Sequence, residues 1–553
     1  MTLQKNRVFF SRPPASAELA CQGRIYDLQA GSDFLAEVWR IVRQPQLLNE
    51  CEADLAAVAY DPKAGTWRLL RDFGQSPLYY TMLDDGLAWS FSYAGILDFL
   101  DHPEPDEAVM FDYLATHYRY IFRDQARTFH QGVRQVPAGA YVDVTLNGDC
   151  SVTPWLDLSR DPETSRMGPQ EATEKLMDIL RRSVRLRAGA FTRPAFTVSS
   201  GLDSSTVASL AAADGRSIDV FSVGYAGAGV EEYDETDGVA ALTKDRNWRW
   251  THLVLEHPDL LAETEKLINL TASPVVTVTW LAYYLMARQL TGFTEIFNGL
   301  GGDESLAGEF VHFFYFFADL YKNGDQARLD TEVEGWSRLH DHPVFKKNRA
   351  VMEDFWQRNI DFQTGEMRVD QKVYQANWRF FNPQWLEVYG PAAPPMPRPH
   401  PGFLSNRLIQ EFTYETTPPT LWGLFMANQS LGLTGVSPFM TPRLFRHCLS
   451  LPGTVKYEQG LTKALLRRGL RGILPESLRL NTKKTGFNAP IHQWFADPKV
   501  SAPTLELLKN GPLSKRNWLK KGAAEIIFKE HISGQANHMM LLWPLMNASL
   551  FLK

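Results

Sequence analysis

The sequence predicts a β-rich α+β domain followed by an α/β domain built on a parallel sheet, with a mainly helical C-terminal part. Three observations carry this reading. Residues 1–155 run through short apolar stretches separated by turn residues. From residue 194 strand, loop and helix patterns alternate, which implies parallel strands with helices on both faces. Beyond residue 310 helical patterns dominate.

In chain order, the run Ala57-Val58-Ala59-Tyr60 leads through the turn Asp61-Pro62-Lys63-Ala64-Gly65 into Trp67–Arg71, a hairpin. Leu87–Phe91 reads as another strand, and Val133–Val144 as a strand pair around Pro137-Ala138-Gly139. The polar stretch Asp161–Pro169 is the expected linker, which sets the domains at 1–160 and 170–553. Leu176, Ile179, Leu180 and Val184 repeat at helical spacing. Ala195–Val198 is a strand, Ser204–Ala213 a helix, and Asp219–Val223 and His252–Leu255 are strands. A helix at Leu281–Leu290 precedes the strand Glu295-Ile296-Phe297. The aromatic run Phe313–Phe317 reads as helix core, and the proline-rich stretch 391–401 as a loop.

The chain has 553 residues and a net charge of −6, a balance that argues against a nucleic-acid binder relying on a strong positive field. At 44% hydrophobic and 22% charged it reads as globular. The four cysteines form no C-x-x-C pair, so a reducing cytoplasm is the expected location. No membrane span and no signal-peptide core are expected.

Three loops carry chemistry. Ser199-Ser200-Gly201-Leu202-Asp203-Ser204-Ser205 follows a strand and opens a helix, where backbone N–H groups and the helix dipole hold a phosphate. The hydroxyls of Ser199, Ser204 and Ser205 donate to phosphate oxygens, and Asp203 offers a carboxylate to Mg²⁺. A helix cap with no ligand is the plainer alternative. There is no Walker-A motif, which disfavours a P-loop enzyme. Asn298-Gly299-Leu300-Gly301-Gly302-Asp303-Glu304 also follows a strand, and Asp303 is expected to share Mg²⁺ with Asp203 across the phosphates of ATP; a simple turn capped by Asp303 is the alternative. Lys483-Lys484-Thr485-Gly486 offers a lysine to a departing pyrophosphate, or is a solvated surface. His340-Asp341-His342 lacks the partners of a metal site.

Together and in this order, these segments resemble the asparagine synthetase family. Ser199–Ser205 is similar to its S-G-G-L-D-S-S loop, with Ser200 for a glycine; Asn298–Glu304 is similar to S-G-E-G-x-D-E, and Lys484–Pro490 to K-x-G-F-x-x-P. Val223-Gly224, Tyr233-Asp234-Glu235, Val436–Phe439, and Lys463–Arg467 with Leu474-Pro475 follow further family runs. In the N-terminal half Arg71–Tyr80 and Val136–Gly139 do the same. The resemblance implies an N-terminal hydrolase-like domain of the N-terminal-nucleophile (Ntn) type and a synthetase domain of the PP-loop, adenine-nucleotide α-hydrolase type. It implies ATP and Mg²⁺ as cofactors. The nucleotide would be held by Ser199, Ser200, Gly201, Leu202, Asp203, Ser204, Ser205, Val223, Gly299 and Glu304, and the metal by Asp203 and Asp303. Lys484 and Asp303 would be catalytic.

Two departures shape the expected substrate. The family's glutaminase needs a cysteine at the mature N-terminus; here position 2 is Thr2 and the first cysteine is Cys21, which implies that glutamine hydrolysis is lost. Leu300 stands where asparagine-forming members have glutamate and β-lactam synthetase-like members tyrosine. Both departures fit the lasso peptide cyclases of this superfamily. These adenylate a side-chain carboxylate of a precursor peptide and close a macrolactam with its α-amine, alongside a leader-binding protein and a leader peptidase. The alternatives are a ligase for a small carboxylate, of β-lactam-forming or asparagine-forming type, and a non-catalytic binding homologue.

Overall fold

The computed structural model describes residues 5–9, 14, 16–29, 31–226, 234–340, 347–390, 393–394, 396–483 and 489–553. Thr2, Tyr233, Asp341, His342 and the segment from Lys484 to Asn488 therefore lie outside the described residues.

The N-terminal part contains β1 (Lys5–Phe9), β2 (Glu18–Ile25), β3 (Ala53–Asp61), β4 (Thr66–Arg71), β5 (Tyr79–Leu83), β6 (Gly86–Ser90), β7 (Val133–Gln135), β8 (Ala140–Thr145) and β9 (Cys150–Pro154). They form two antiparallel sheets, ordered β2-β3-β4-β8-β9 and β1-β6-β5-β7. The alternation along β3 explains the layering. Ala56, Val58 and Tyr60 join Leu78, Tyr80 and Trp89 in the core between the sheets. Leu55, Ala57 and Ala59 face the other way, onto α1 (Phe34–Arg43). Successive residues thus bury on opposite faces, and β3 reads as an unbroken apolar run.

The Val133–Val144 region corrects one expectation. Its two strands do not pair with each other: β7 lies in the smaller sheet and β8 in the larger. The turn Val136–Gly139 carries the chain between them. Gly139, at φ 71°, donates its N–H to Asp72 O at 2.7 Å, a backbone conformation that side chains with a Cβ rarely adopt.

After α2 (Tyr93–Leu97) and α3 (Glu107–Ala115), the 21-residue α4 (Pro169–Gly189) opens the second part. There follow β10 (Ala195–Thr197), α5 (Leu202–Ala211), β11 (Asp219–Tyr225), α6 (Thr236–Thr243) and β12 (Arg249–Leu255). The chain continues through α7 (Leu260–Thr271), α8 (Val278–Ala287), β13 (Glu295–Phe297), α9 (Gly302–Leu306), α10 (His312–Lys322) and α11 (Gln326–Leu339). A two-residue hairpin, β14 (Ile360–Asp361) and β15 (Glu366–Met367), precedes β16 (Thr434–Val436).

The parallel sheet has the order β12-β11-β10-β13-β16. Its faces bury alternate residues. Ala195, Phe221 and Ile296 pack with α7 and α8, whereas Phe196, Val220 and Phe297 pack with α4, α5 and α6. The sheet's fifth strand, β16, has three residues and includes Gly435, too short a signal for periodicity to show. The run Phe313–Phe317 is buried on all sides within α10. Among the described residues no helix is long and apolar enough to cross a membrane.

The two parts share one apolar cluster: Phe73, Tyr79 and Tyr93 of the first pack with Phe412 and Trp422 of the second. A buried ion triad pins the same junction. Arg187 of α4 reaches Glu52 at 2.6 Å and Asp54 at 2.9 Å, and Tyr26 donates to Asp54 at 2.9 Å.

One buried cation is unlike these. Lys456 is 1% exposed, and its Nζ has no hydrogen-bond acceptor among the described residues. Burial drives its amine down to about 8, against the opposing pull of Cys448 and Asp319. In the unfolded chain the amine titrates near its usual value, so the native state binds fewer protons between pH 8 and that value. Stability therefore rises with pH through this window, and the deficit is complete below pH 8. Lys456→Met is expected to stabilise the protein at pH 7, by on the order of 2–3 kcal/mol, with the gain fading above pH 8. Denaturant unfolding of both proteins at pH 7 and pH 9.5 checks this; a gain that does not shrink with pH contradicts the assignment.

Candidate active site

The parallel register fixes the site. β10 and β13 are neighbours, paired Ala195 to Ile296 and Phe196 to Phe297, so the loops leaving their C-terminal ends emerge side by side. Thr197 adds a hydrogen bond to Phe297 O at 2.9 Å. Ligands of open α/β sheets bind at this edge.

The first loop is internally braced. Ser199 Oγ and Ser204 Oγ lie 2.8 Å apart, Ser199 Oγ accepts the Gly201 N–H at 3.1 Å, and Ser205 Oγ donates to Ser199 O at 3.0 Å. No side chain caps α5, so the N–H groups of its first turn remain for a ligand. Ser200 donates to Glu235 at 2.8 Å. Leu202 is buried, and Val223, half-buried, sits near the end of β11 beside the loop.

The second loop lies against the first, and its glycines are what permit this. A Cβ at Gly299 would stand 2.6 Å from Ser204 N, and one at Gly302 would stand 2.3 Å from Asp203 Cγ. Gly302→Ala is expected to push the Asp203 carboxylate aside and weaken binding of MgATP at least tenfold or so, with the melting temperature little changed. Calorimetric titration beside thermal melting checks this, and unaltered affinity would refute the packing argument.

Asp203 and Asp303 stand a hundred positions apart in sequence, yet both reach one ammonium. Lys463 Nζ is 2.6 Å from Asp203 Oδ2 and 2.7 Å from Asp303 Oδ1. A cation thus already sits between the two carboxylates, which fits a divalent-metal position. Among the described residues no three His, Cys, Asp or Glu side chains converge as a metal site. Two carboxylates completed by phosphate oxygens and water is the manner in which Mg²⁺ is usually held.

Lys463 was not among the site residues expected from sequence. It lies 260 positions from Asp203, and its only signal was the run Lys463–Arg467. Its backbone is left-handed, φ 55°, at the start of a short helix. Lys484 lies outside the described residues. Glu304 is buried, 8% exposed; burial and then the charge of Asp303 push its carboxyl up to about 8. Leu300, half-buried, packs on the apolar cluster and donates its N–H to Asn298 Oδ1 at 3.0 Å. His340 donates to Gly460 O at 2.8 Å.

By its family matches the protein is an ATP-dependent carbon–nitrogen ligase. The family model described as Asparagine synthase matches residues 175–553, and the chain belongs to that family. It is similar to "Asparagine synthetase [glutamine-hydrolyzing] 1" of Bacillus subtilis (strain 168), 20% identical over 96% of this chain and 82% of that one. It is also similar to a "Putative asparagine synthetase [glutamine-hydrolyzing]" of Mycobacterium tuberculosis (strain CDC 1551 / Oshkosh), 22% identical over 86% and 72%. Among solved structures, the glutamine phosphoribosylpyrophosphate amidotransferase of B. subtilis matches 45% of this chain and 47% of its own, at 11% identity and a TM-score of 0.18, a likeness too slight to carry an argument.

Proposed function

We propose that this enzyme adenylates a side-chain carboxylate of a precursor peptide and closes a macrolactam with the peptide's N-terminal amine. It would work in the cytoplasm with a leader-binding protein and a leader peptidase. The convergence of Asp203, Asp303 and Lys463 on one point at the mouth of the Ser199–Ser205 loop carries the adenylation half of this reading. On this reading the second part is a PP-loop synthetase domain, and the first an Ntn-type domain without its nucleophile.

The loop's Ser199 and Ser204 exchange their mutual hydrogen bond for phosphate oxygens, and the α5 N–H groups take the negative charge. Mg²⁺ held by Asp203 and Asp303 would neutralise the phosphates and draw electrons from the α-phosphorus. Lys463, displaced from the carboxylates, turns its charge to the pyrophosphate, with Lys484 as the second cation. The substrate carboxylate oxygen bonds to the α-phosphorus, and pyrophosphate leaves. The amine then bonds to the acyl carbon, loses its proton, and AMP leaves.

Two observations favour an amine other than glutamine-derived ammonia. Burial pushes the thiols of Cys21 and Cys150 up, Cys51 up to about 11 and Cys448 up to about 12, so none of the chain's four cysteines is poised as a thiolate. Leu300 supplies an apolar wall where asparagine-forming relatives place a carboxylate. The names of the similar proteins favour a second reading, a small carboxylate such as aspartate.

Incubation with ATP, Mg²⁺ and a candidate precursor peptide, without glutamine, tests the proposal. The expected products are AMP, pyrophosphate and peptide lighter by one water, read by mass spectrometry. ADP as the nucleotide product would overturn the adenylation. AMP formed with aspartate and not with peptide would favour the second reading.

A further inference from the structure

The catalytic chemistry proposed above leaves unexplained why Lys463 holds its place. We infer that α11 is a positioning clamp for Lys463, acting through the carboxylate of Glu332; this rests on the nucleotide reading of the site. Glu332 is fully buried. Its two oxygens take the successive backbone N–H groups of Gln459 at 3.0 Å and Gly460 at 2.7 Å. Arg328, one turn earlier, pairs with the same carboxylate at 2.8 Å and donates to Tyr457 O at 3.1 Å. From the far end of α11, His340 donates to Gly460 O at 2.8 Å.

The turn so held is tight. Gln459 (φ 52°) and Lys463 (φ 55°) are both left-handed without being glycine, a conformation that persists only where the surroundings impose it. The helix and the turn meet backbone to backbone. A Cβ at Gly335 would fall 2.1 Å from Gln459 O, and one at Gly460 would fall 2.2 Å from Gly335 C. From the other side Tyr457 donates to Ala307 O at 2.9 Å, one residue before Gly308. A Cβ at Gly308 would meet both Asp303 Oδ1, at 2.0 Å, and Lys463 Cε, at 2.2 Å. The clamp therefore fixes the turn from which Lys463 reaches Asp303, leaving the end of its side chain able to move to the phosphates. The same helix end accepts a hydrogen bond from Thr482 at Leu339 O, 3.0 Å, where the chain sets out toward the second lysine motif.

A buried carboxylate spent on two amides of a turn costs desolvation that simple packing would avoid. Its return is a fixed Lys463. Glu332 is a positioning residue: it touches no reacting atom.

The test is calorimetric titration of MgATP into the wild type, Glu332→Ala, Glu332→Gln, Lys463→Met and Glu332→Ala/Lys463→Met. Glu332→Ala is expected to weaken binding roughly tenfold or more, and Glu332→Gln less, since it keeps one acceptor. In the Lys463→Met background Glu332→Ala is expected to cost nothing further, because its effect runs through the missing lysine. Equal losses in both backgrounds, or none in either, would overturn the clamp. Should Glu332→Ala fail to fold, Glu332→Gln with and without Lys463→Met gives the same comparison. Failure of the wild type to bind MgATP would overturn the nucleotide reading and the clamp with it, a result distinct from binding that is indifferent to Glu332.

Discussion

Asp203→Asn and Asp303→Asn are each expected to lower AMP formation by roughly 10²–10³-fold or more, with melting temperatures within a few degrees of the parent. The expectation follows from the geometry of one point in space. Both carboxylates face Lys463, and both stand partly open at the mouth of the loops, 17% and 23% exposed. Neither holds up the core, so the fold survives. Removing one charge halves the anionic field that draws in a divalent cation, and an amide is a weaker ligand for a hard metal. The loss should be greatest at low Mg²⁺ and only partly recovered by raising it. Turnover by either folded variant at the parental rate would remove the pair from the metal position.

Arg187→Met is expected to cost about 3–5 kcal/mol of unfolding free energy. The guanidinium is 1% exposed and lies between Glu52, also 1% exposed, and Asp54. Truncating it leaves two buried carboxylates without their counter-charge. The triple variant Glu52→Gln/Asp54→Asn/Arg187→Met, which removes the charges together, is expected to recover part of the loss. Urea unfolding of the three proteins distinguishes this from simple loss of packing, in which the triple variant would be no better than the single one. The consequence reaches the site as well. α4 carries Arg187 and also packs with α5, which begins in the Ser199–Ser205 loop. The buried triad thereby ties the N-terminal part to α4.

The architecture was legible where a pattern of one period ran long enough to be recognised. The strands Ala53–Asp61, Thr66–Arg71 and Asp219–Tyr225, and the helices beginning at Pro169, Leu202 and Val278, are where short apolar runs or helical spacing put them. The pairing of strands was less legible. β7 and β8 look like neighbours in sequence, yet they join different sheets, because partner choice depends on what each face buries. β16 joins the parallel sheet from 137 positions after β13 with only three residues to announce it.

The sequence by itself determined the chemistry available: a serine-rich loop with Asp203, a glycine-rich loop with Asp303, and, with no site role given to it beside Lys484, a late run beginning at Lys463, in family order. Each is a local arrangement of residue types, and local arrangements survive in a string of letters. Only the tertiary structure decided that the three meet. That meeting depends on β10 lying beside β13, on glycines thin enough to let one loop rest on the other, and on a buried glutamate that holds the lysine's turn from outside the site. These are contacts between residues about a hundred positions apart or more, and they arise from how sheets and helices pack, which no spacing along the chain encodes.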